Sequence, residues 1–318
     1  MGIRSLPLQV RFLAGESTGS YVTRLAARNG LRVGQLLDSV GDGLSAAEVD
    51  PRYTELYLNA QARDRLAALT GRPLMELTTA LPSLGDEHLL PGRQDRPVWK
   101  WPWGPHSGYL VRGCALCAAS RDISTPVWLM CPDPWHICVR HSRFSDNSRD
   151  DTAPFIDLAP GPQVVLAERR RLLLVRRLGS VGRTLVADAF GVLAHESTYL
   201  PRLGTHRSTP LRLLPTAVKA ACLMASAERR RLEHRLSPDG YKRWLDTAET
   251  AVGQRITTVL REWRSQHPLL RGKPNLPDPR STRLALAHPH EQIGGMQSVD
   301  EISCLPWPVL ASTERPYG

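Results

Sequence analysis

The sequence predicts a mainly α-helical protein interrupted by one small Cys/His finger. Three observations carry that prediction: apolar residues recur at helical spacing up to residue 82 and again from residue 163, four of six cysteines fall between 114 and 138, and beyond His267 the apolar pattern gives way to Pro, Gly and isolated polar residues. At 318 residues the chain is too long for one compact core. The order expected is an N-terminal helix-turn-helix-like helical region (1–82), the finger module (83–150), a C-terminal helical region (151–267) and an irregular tail (268–318).

The first region carries two similar stretches. GSYVTRLAARNGLRVGQLLDSVG places Tyr21, Leu25, Leu36 and Leu37 at helix-compatible spacing and is broken at Asn29-Gly30. YLNAQARDRLAALTGRPLMELTTALP repeats the pattern and is broken at Thr70-Gly71. With Arg24 set over Arg65 the two align without a gap, each reading as helix, glycine turn and helix. Gly30 and Gly71 are expected in the left-handed region, where glycine has no Cβ penalty. Residues 32–40 and 72–81 are then the candidate recognition helices of a helix-turn-helix, although only Arg32, Gln35, Asp38 and Arg72 offer side chains suited to a groove.

Residues 83–108 are rich in Pro and Gly, with Trp99, Trp101 and Trp103 alternating along a short extended edge. The tryptophans are expected to lie as an apolar lid on the finger. In CALCAASRDISTPVWLMCPDPWHICVRH, Cys114 and Cys117 form a C-x-x-C knuckle, and Cys138 and His141 form a C-x-x-H knuckle. Two thiolates on one tight turn can meet the same ion, and the separation of the pairs suits a two-knuckle zinc site closed by a hairpin. Cys131 and His136 remain competing ligands on the residues alone. Four protein ligands leave no open coordination position, so one structural Zn2+ is expected and not a catalytic one.

The segment from Ser142 to Pro162 reads as a linker. QVVLAERRRLLLVRRLG reads as a helix ended by Gly179, and it holds one acid, Glu168, against five arginines. Arg169 and Arg176, and likewise Arg170 and Arg177, are seven apart and share one side of that helix, where they could contact phosphates without reading bases. A further helix is expected to open at Pro215 and to bury Cys222 among apolar neighbours. Another is expected to open at the Ser237-Pro238 cap and run through Trp244 and Trp263.

The formal charge of +10 and pI of about 9.7 favour an acidic partner. Lysines are few, which gives the basic balance an arginine bias as well. The absence of a long apolar run argues against a signal peptide or membrane span and for a cytoplasmic protein with reduced cysteines. No nucleophile with an adjacent base and no paired carboxylates stand out, so the chain is not expected to be an enzyme.

LPLQVRFLAGESTGSYVTRLAARNGL, with its proline-led strand and Gly-Glu-Ser turn, resembles the opening of the TniQ family. CALC followed by WLMCPDPWHICVRHSRF resembles that family's zinc finger, and FIDLAPGPQVVLAERRRLLLVRRLG its following helix. The resemblance covers about residues 5–178. It implies a TniQ/TnsD-like role in DNA transposition: a non-catalytic adaptor in target-site selection that bridges target DNA, or a target-recognising complex, to an AAA+ transposition regulator and the transposase. Some members dimerise, which adds a second copy of the chain to the candidate partners. DNA contact of this chain itself is expected to be weak or non-specific. The alternative from the residues is a helix-turn-helix transcriptional regulator.

Overall fold

A computed structural model describes residues 4–43, 50–91, 96–102, 105–149, 151–196, 209–232 and 237–265. The tail 268–318 and Trp103 lie outside the described residues. The fold is mainly helical, as expected, and the chain divides into two compact units, Met1–Pro160 and Gly161–Gly318. Among the described residues no helix is long and apolar enough to cross a membrane.

The first unit is built on two helical hairpins. Helix α1 (Thr18–Arg28) starts where the Ser17 side chain accepts from the Ser20 amide. It ends at Asn29, Gly30 turns at φ +68, and α2 (Val33–Val40) follows. In the second hairpin Asn59 caps α3 (Ala60–Thr70) in the same way, Gly71 turns at φ +62, and α4 (Leu74–Ala80) follows. Both glycines occupy the left-handed region, as their positions in the pattern predict. Tyr21, Leu25, Leu36, Leu37, Leu66 and Leu77 of the two hairpins belong to one buried cluster.

Trp99 and Trp101 belong to that helical core and not to the finger. Strand β1 (Tyr57–Leu58) pairs antiparallel with β2 (Trp99–Lys100). Because β1 leads directly into α3, this pairing turns Trp99 into the helices, where its Nε1 donates to the Gly41 carbonyl at 2.9 Å. Trp101 packs against the same cluster. The expected lid on the finger is therefore corrected.

A second tie runs between the α1 entry and the finger. The Ser17 amide donates to the Trp128 carbonyl and the Met130 amide donates to the Gly15 carbonyl, each at 2.8 Å. Between them Glu16, fully buried, accepts from Nε and Nη2 of Arg24 at 2.8–2.9 Å. Ser20 donates its hydroxyl to Glu16 and accepts from the Trp128 amide, both at 3.1 Å. Burial pushes the Glu16 carboxyl up and Arg24 pulls it back, the balance expected of a buried pair. Nearby, Glu55 is completely buried and accepts from the Thr18 amide at 2.8 Å. Burial pushes its carboxyl from 4.5 up to about 7.

The second unit is helical throughout its described residues: α6 (Pro162–Leu178), α7 (Ser180–Glu196), α8 (Thr209–Leu232), α9 (Pro238–Val252) and α10 (Gln254–Ser265). Gly179 ends α6 at φ +63, and the Ser237 side chain caps α9 by accepting from the Gly240 amide. Three expectations are corrected. Pro215 lies inside α8, which starts at Thr209, so the helix tolerates one missing amide donor. The long helix through Trp244 and Trp263 is broken by Gly253 at φ +87, which lets the two indoles reach different partners, the Leu223 carbonyl and the Asp188 carboxylate, each at 3.0 Å. Cys222 is exposed and not buried, because α8 turns Ala221 and Met224 inward on its other side.

Two outcomes follow for the first unit. Arg24→Ala strands the buried Glu16 charge and is expected to cost about 3–5 kcal/mol in urea unfolding of the full chain. Glu55, whose folded pKa is raised, favours the folded state below pH 4.5, and that contribution is lost as pH rises through about 7. The loss is expected to total about 3 kcal/mol. Glu55→Gln, which keeps the acceptor for the Thr18 amide, is expected to flatten the pH dependence of unfolding over that window.

Candidate metal centre

Two hairpins close on the two ligand pairs. Strand β3 (Tyr109–Arg112) pairs antiparallel with β4 (Trp128–Cys131), from Tyr109 opposite Cys131 to Arg112 opposite Trp128. At the Arg112 end the Gly113 amide donates to the Val127 carbonyl at 2.7 Å. Cys114 follows, then α5 (Ala115–Ala119), whose single turn brings Cys117 back toward Cys114. In the second hairpin β5 (Trp135–Cys138) pairs with β6 (Arg143–Asp146), so that Cys138 lies opposite Arg143 and His141 sits in the turn. Ser142 completes this turn at φ +49. The Ser145 hydroxyl donates to the Arg112 carbonyl at 2.6 Å, joining one hairpin to the other. Trp135 stacks on the buried Phe144 beneath the second pair.

The stretch read as a linker is partly sheet. It supplies β6 and a third strand, β7 (Ile156–Asp157), which pairs with β6. Its polar residues concealed this because Arg143 and Asp157 lie opposite each other on the outer sheet, while the apolar partners Phe144 and Ile156 are single residues.

The ligand atoms of Cys114, Cys117, Cys138 and His141 all lie within 4.8 Å of one another. His141 Nδ1 is 3.5 Å from the Cys114 sulfur, 3.2 Å from that of Cys117 and 3.5 Å from that of Cys138. The Cys117 and Cys138 sulfurs are 3.5 Å apart. Zinc bonds of about 2.3 Å to sulfur and about 2.0–2.1 Å to nitrogen define a tetrahedron with edges of about 3.6–3.8 Å. The donor set fits such an ion in size and in chemistry. Burial, together with the neighbouring Cys138 and Cys114 sulfurs, pushes the Cys117 thiol up to about 12, the response of thiols crowded together without a cation. A bound divalent cation reverses that cost, since thiolates are the ligating form.

Neither competing ligand joins the set. Cys131 lies at the far end of the β3–β4 hairpin, three residues or about 10 Å along the strand from its closed end, and packs with Val111, Val127 and Leu129. His136 sits on β5 opposite Ser145, two residues before Cys138. The open choice in the sequence is resolved by strand direction: each hairpin presents to the cluster only the residues at its closed end.

The arginines singled out for phosphate contact lie on α6, in the other unit. Arg169, Arg170, Arg176 and Arg177 are all exposed, whereas Glu168 is buried and held by Arg171 at 2.7–2.8 Å. Of the groove candidates in the hairpins, Arg32, Gln35 and Asp38 are exposed, while Arg72 pairs with Glu76 and lies over the Phe12 ring. The Glu16–Arg24 pair and Glu55 carried no motif and were not foreseen. The one available signal was an acid immediately before a helix-capping serine.

The TniQ family model matches residues 7–144, from the opening segment through both hairpins of helices to β6. This stretch is similar to the TniQ domain, whose family members are non-catalytic transposition proteins. No curated protein and no solved structure matches the chain.

Metal analysis of the purified chain is expected to find one zinc. Cys114→Ser, Cys138→Ser or His141→Ala should each abolish stoichiometric metal and loosen the finger, while Cys131→Ala should retain it and cost only about 1 kcal/mol of packing. Metal retained in Cys138→Ser and lost in Cys131→Ala would reverse the assignment.

Proposed function

We propose that this protein is a non-catalytic, zinc-containing adaptor of the TniQ type, acting in target-site selection during DNA transposition. In this role it joins target DNA, or a complex that recognises the target, to an AAA+ transposition regulator. The observation that carries the reading is the coincidence of the TniQ match with a complete Cys3His donor set inside it. Four protein donors fill a tetrahedral ion, so the chemistry supplied is structural. The ion would hold two hairpins together, and one of these is the edge to which the α1 entry is hydrogen-bonded. The metal therefore supports the placement of the helical hairpins and their surfaces.

The two helix–turn–helix outlines keep a transcriptional regulator as the second reading. The exposed faces of α2 and α4 argue against it: α2 offers Arg32, Gln35, Asp38 and Ser39, and α4 offers Met75, Glu76 and Thr79, with Arg72 already engaged by Glu76. These are few donors for base edges.

The test is co-elution of the purified chain with the AAA+ ATPase encoded nearest its gene, with and without ATP. An ATP-dependent complex, together with DNA binding that fades with salt and selects no sequence, is the expected outcome. A sharp motif recovered from random DNA at physiological salt, with no ATPase complex, would reverse the order of the two readings.

A further inference from the structure

The second unit exposes apolar and basic side chains together. On α6, Leu166 is 52 %, Leu172 48 % and Leu173 57 % exposed, interleaved with exposed Arg169, Arg170, Arg176 and Arg177. Leu166, Arg170, Leu173 and Arg177 follow one another at steps of four, three and four, a single stripe along the helix. Beside it runs a groove of about 460 Å³ between α6 and α8, with Ala167, Val218 and Leu223 among its lining residues and Arg170 and Lys219 as its charges. Among the described residues no acidic side chain lines it. On α8, Pro215, Val218, Lys219, Cys222 and Leu223 contribute from one face, again at helical spacing.

We propose that this groove and the α6 stripe form a docking site for an acidic amphipathic helix of a partner protein. The assignment rests on the adaptor reading and names the chemistry of one of its partners. Helical period on both walls suits a helical occupant laid along them, and the stripe from Leu166 to Arg177 is about 16 Å long, enough for about three turns. The leucines would receive apolar side chains of that helix, and Arg170, Arg177 and Lys219 would meet its carboxylates. A second copy presenting the same face is disfavoured, since arginine would meet arginine. Duplex DNA satisfies the arginines but leaves the half-exposed Leu166 and Leu173 against a charged backbone, where their burial returns little.

Cys222 opens into the groove beside Arg170 and serves as a native reporter. The full chain would be titrated with a fluorescent synthetic peptide of about 18 residues, Leu and Glu on opposite helical faces. Controls are a peptide of the same composition with the leucines scattered and one with Lys in place of Glu. The expected result is saturable binding of the first peptide alone, with slowed alkylation of Cys222 read by mass spectrometry. Arg170→Glu combined with Arg177→Glu should weaken that binding at least about tenfold and transfer it to the Lys peptide. Leu173→Asp should weaken it without reversing the charge preference. All three positions are exposed, and circular dichroism of each variant verifies folding. Equal binding of the scattered peptide, or unchanged binding by the charge-reversed variant, overturns the proposal. So does shielding of Cys222 by duplex DNA but not by peptide, which marks a nucleic-acid face. Faster Cys222 alkylation on removal of residues 266–318 would assign the groove to the chain's own tail. Loss of the ATPase complex with peptide binding intact would sink the adaptor reading and leave the docking site standing.

Discussion

Three sulfur atoms and an imidazole nitrogen packed within 4.8 Å of one another are an unfavourable arrangement unless a cation holds them. The rest of the first unit depends on that contact. It closes the β3–β4 hairpin against the β5–β6 hairpin, and the edge of β4 in turn receives the Gly15–Ser17 backbone. The start of α1 is therefore tied to a strand whose own position a metal held by this cluster would fix. Small domains of this kind bury too little apolar surface to hold such geometry unaided.

Buried polar groups make the junction specific. Glu16, Arg24 and Ser20 form a closed set with the Trp128 amide, and Glu55 reaches the first turn of α1 from another direction. Carboxylates at a helix start are favoured by the exposed amide dipoles there, yet complete burial opposes their ionisation. The two acids resolve that conflict differently. Glu16 has an arginine partner, while Glu55 has the Thr18 amide and is pushed toward protonation near neutrality. The α1 entry is thus placed by groups that tolerate little displacement.

The second unit follows a different rule. Its helices pack through Ala, Val and Leu on α7 and α8, and its distinguishing feature is what remains outside. An amphipathic helix ordinarily turns its leucines inward; α6 keeps Val164, Val165 and Ala167 in the core and leaves three leucines in solvent. The same helix carries the exposed arginines, and the leucines stand between them. Taken together, the two side-chain types change the chemistry of the expected partner from phosphate to an acidic apolar segment.

Local chemistry was legible in the sequence because it depends on neighbours along the chain. The two knuckles, the left-handed Gly30 and Gly71, the Ser237 cap and the end of α6 at Gly179 each need only a few adjacent residues of the right type. What tertiary structure alone decided depends on residues far apart. The choice of Cys138 over Cys131 came from strand direction, and the seat of Trp99 came from pairing with Tyr57–Leu58. The seat of Gly15–Ser17 against β4 came from partners such as Ser20 and Trp128, 108 residues apart. The exposure of Cys222 came from which side of α8 faces its neighbours. Spacing could nominate ligands and turns; only the packed chain could say which side chains share a face, because that is set by the elements brought against it.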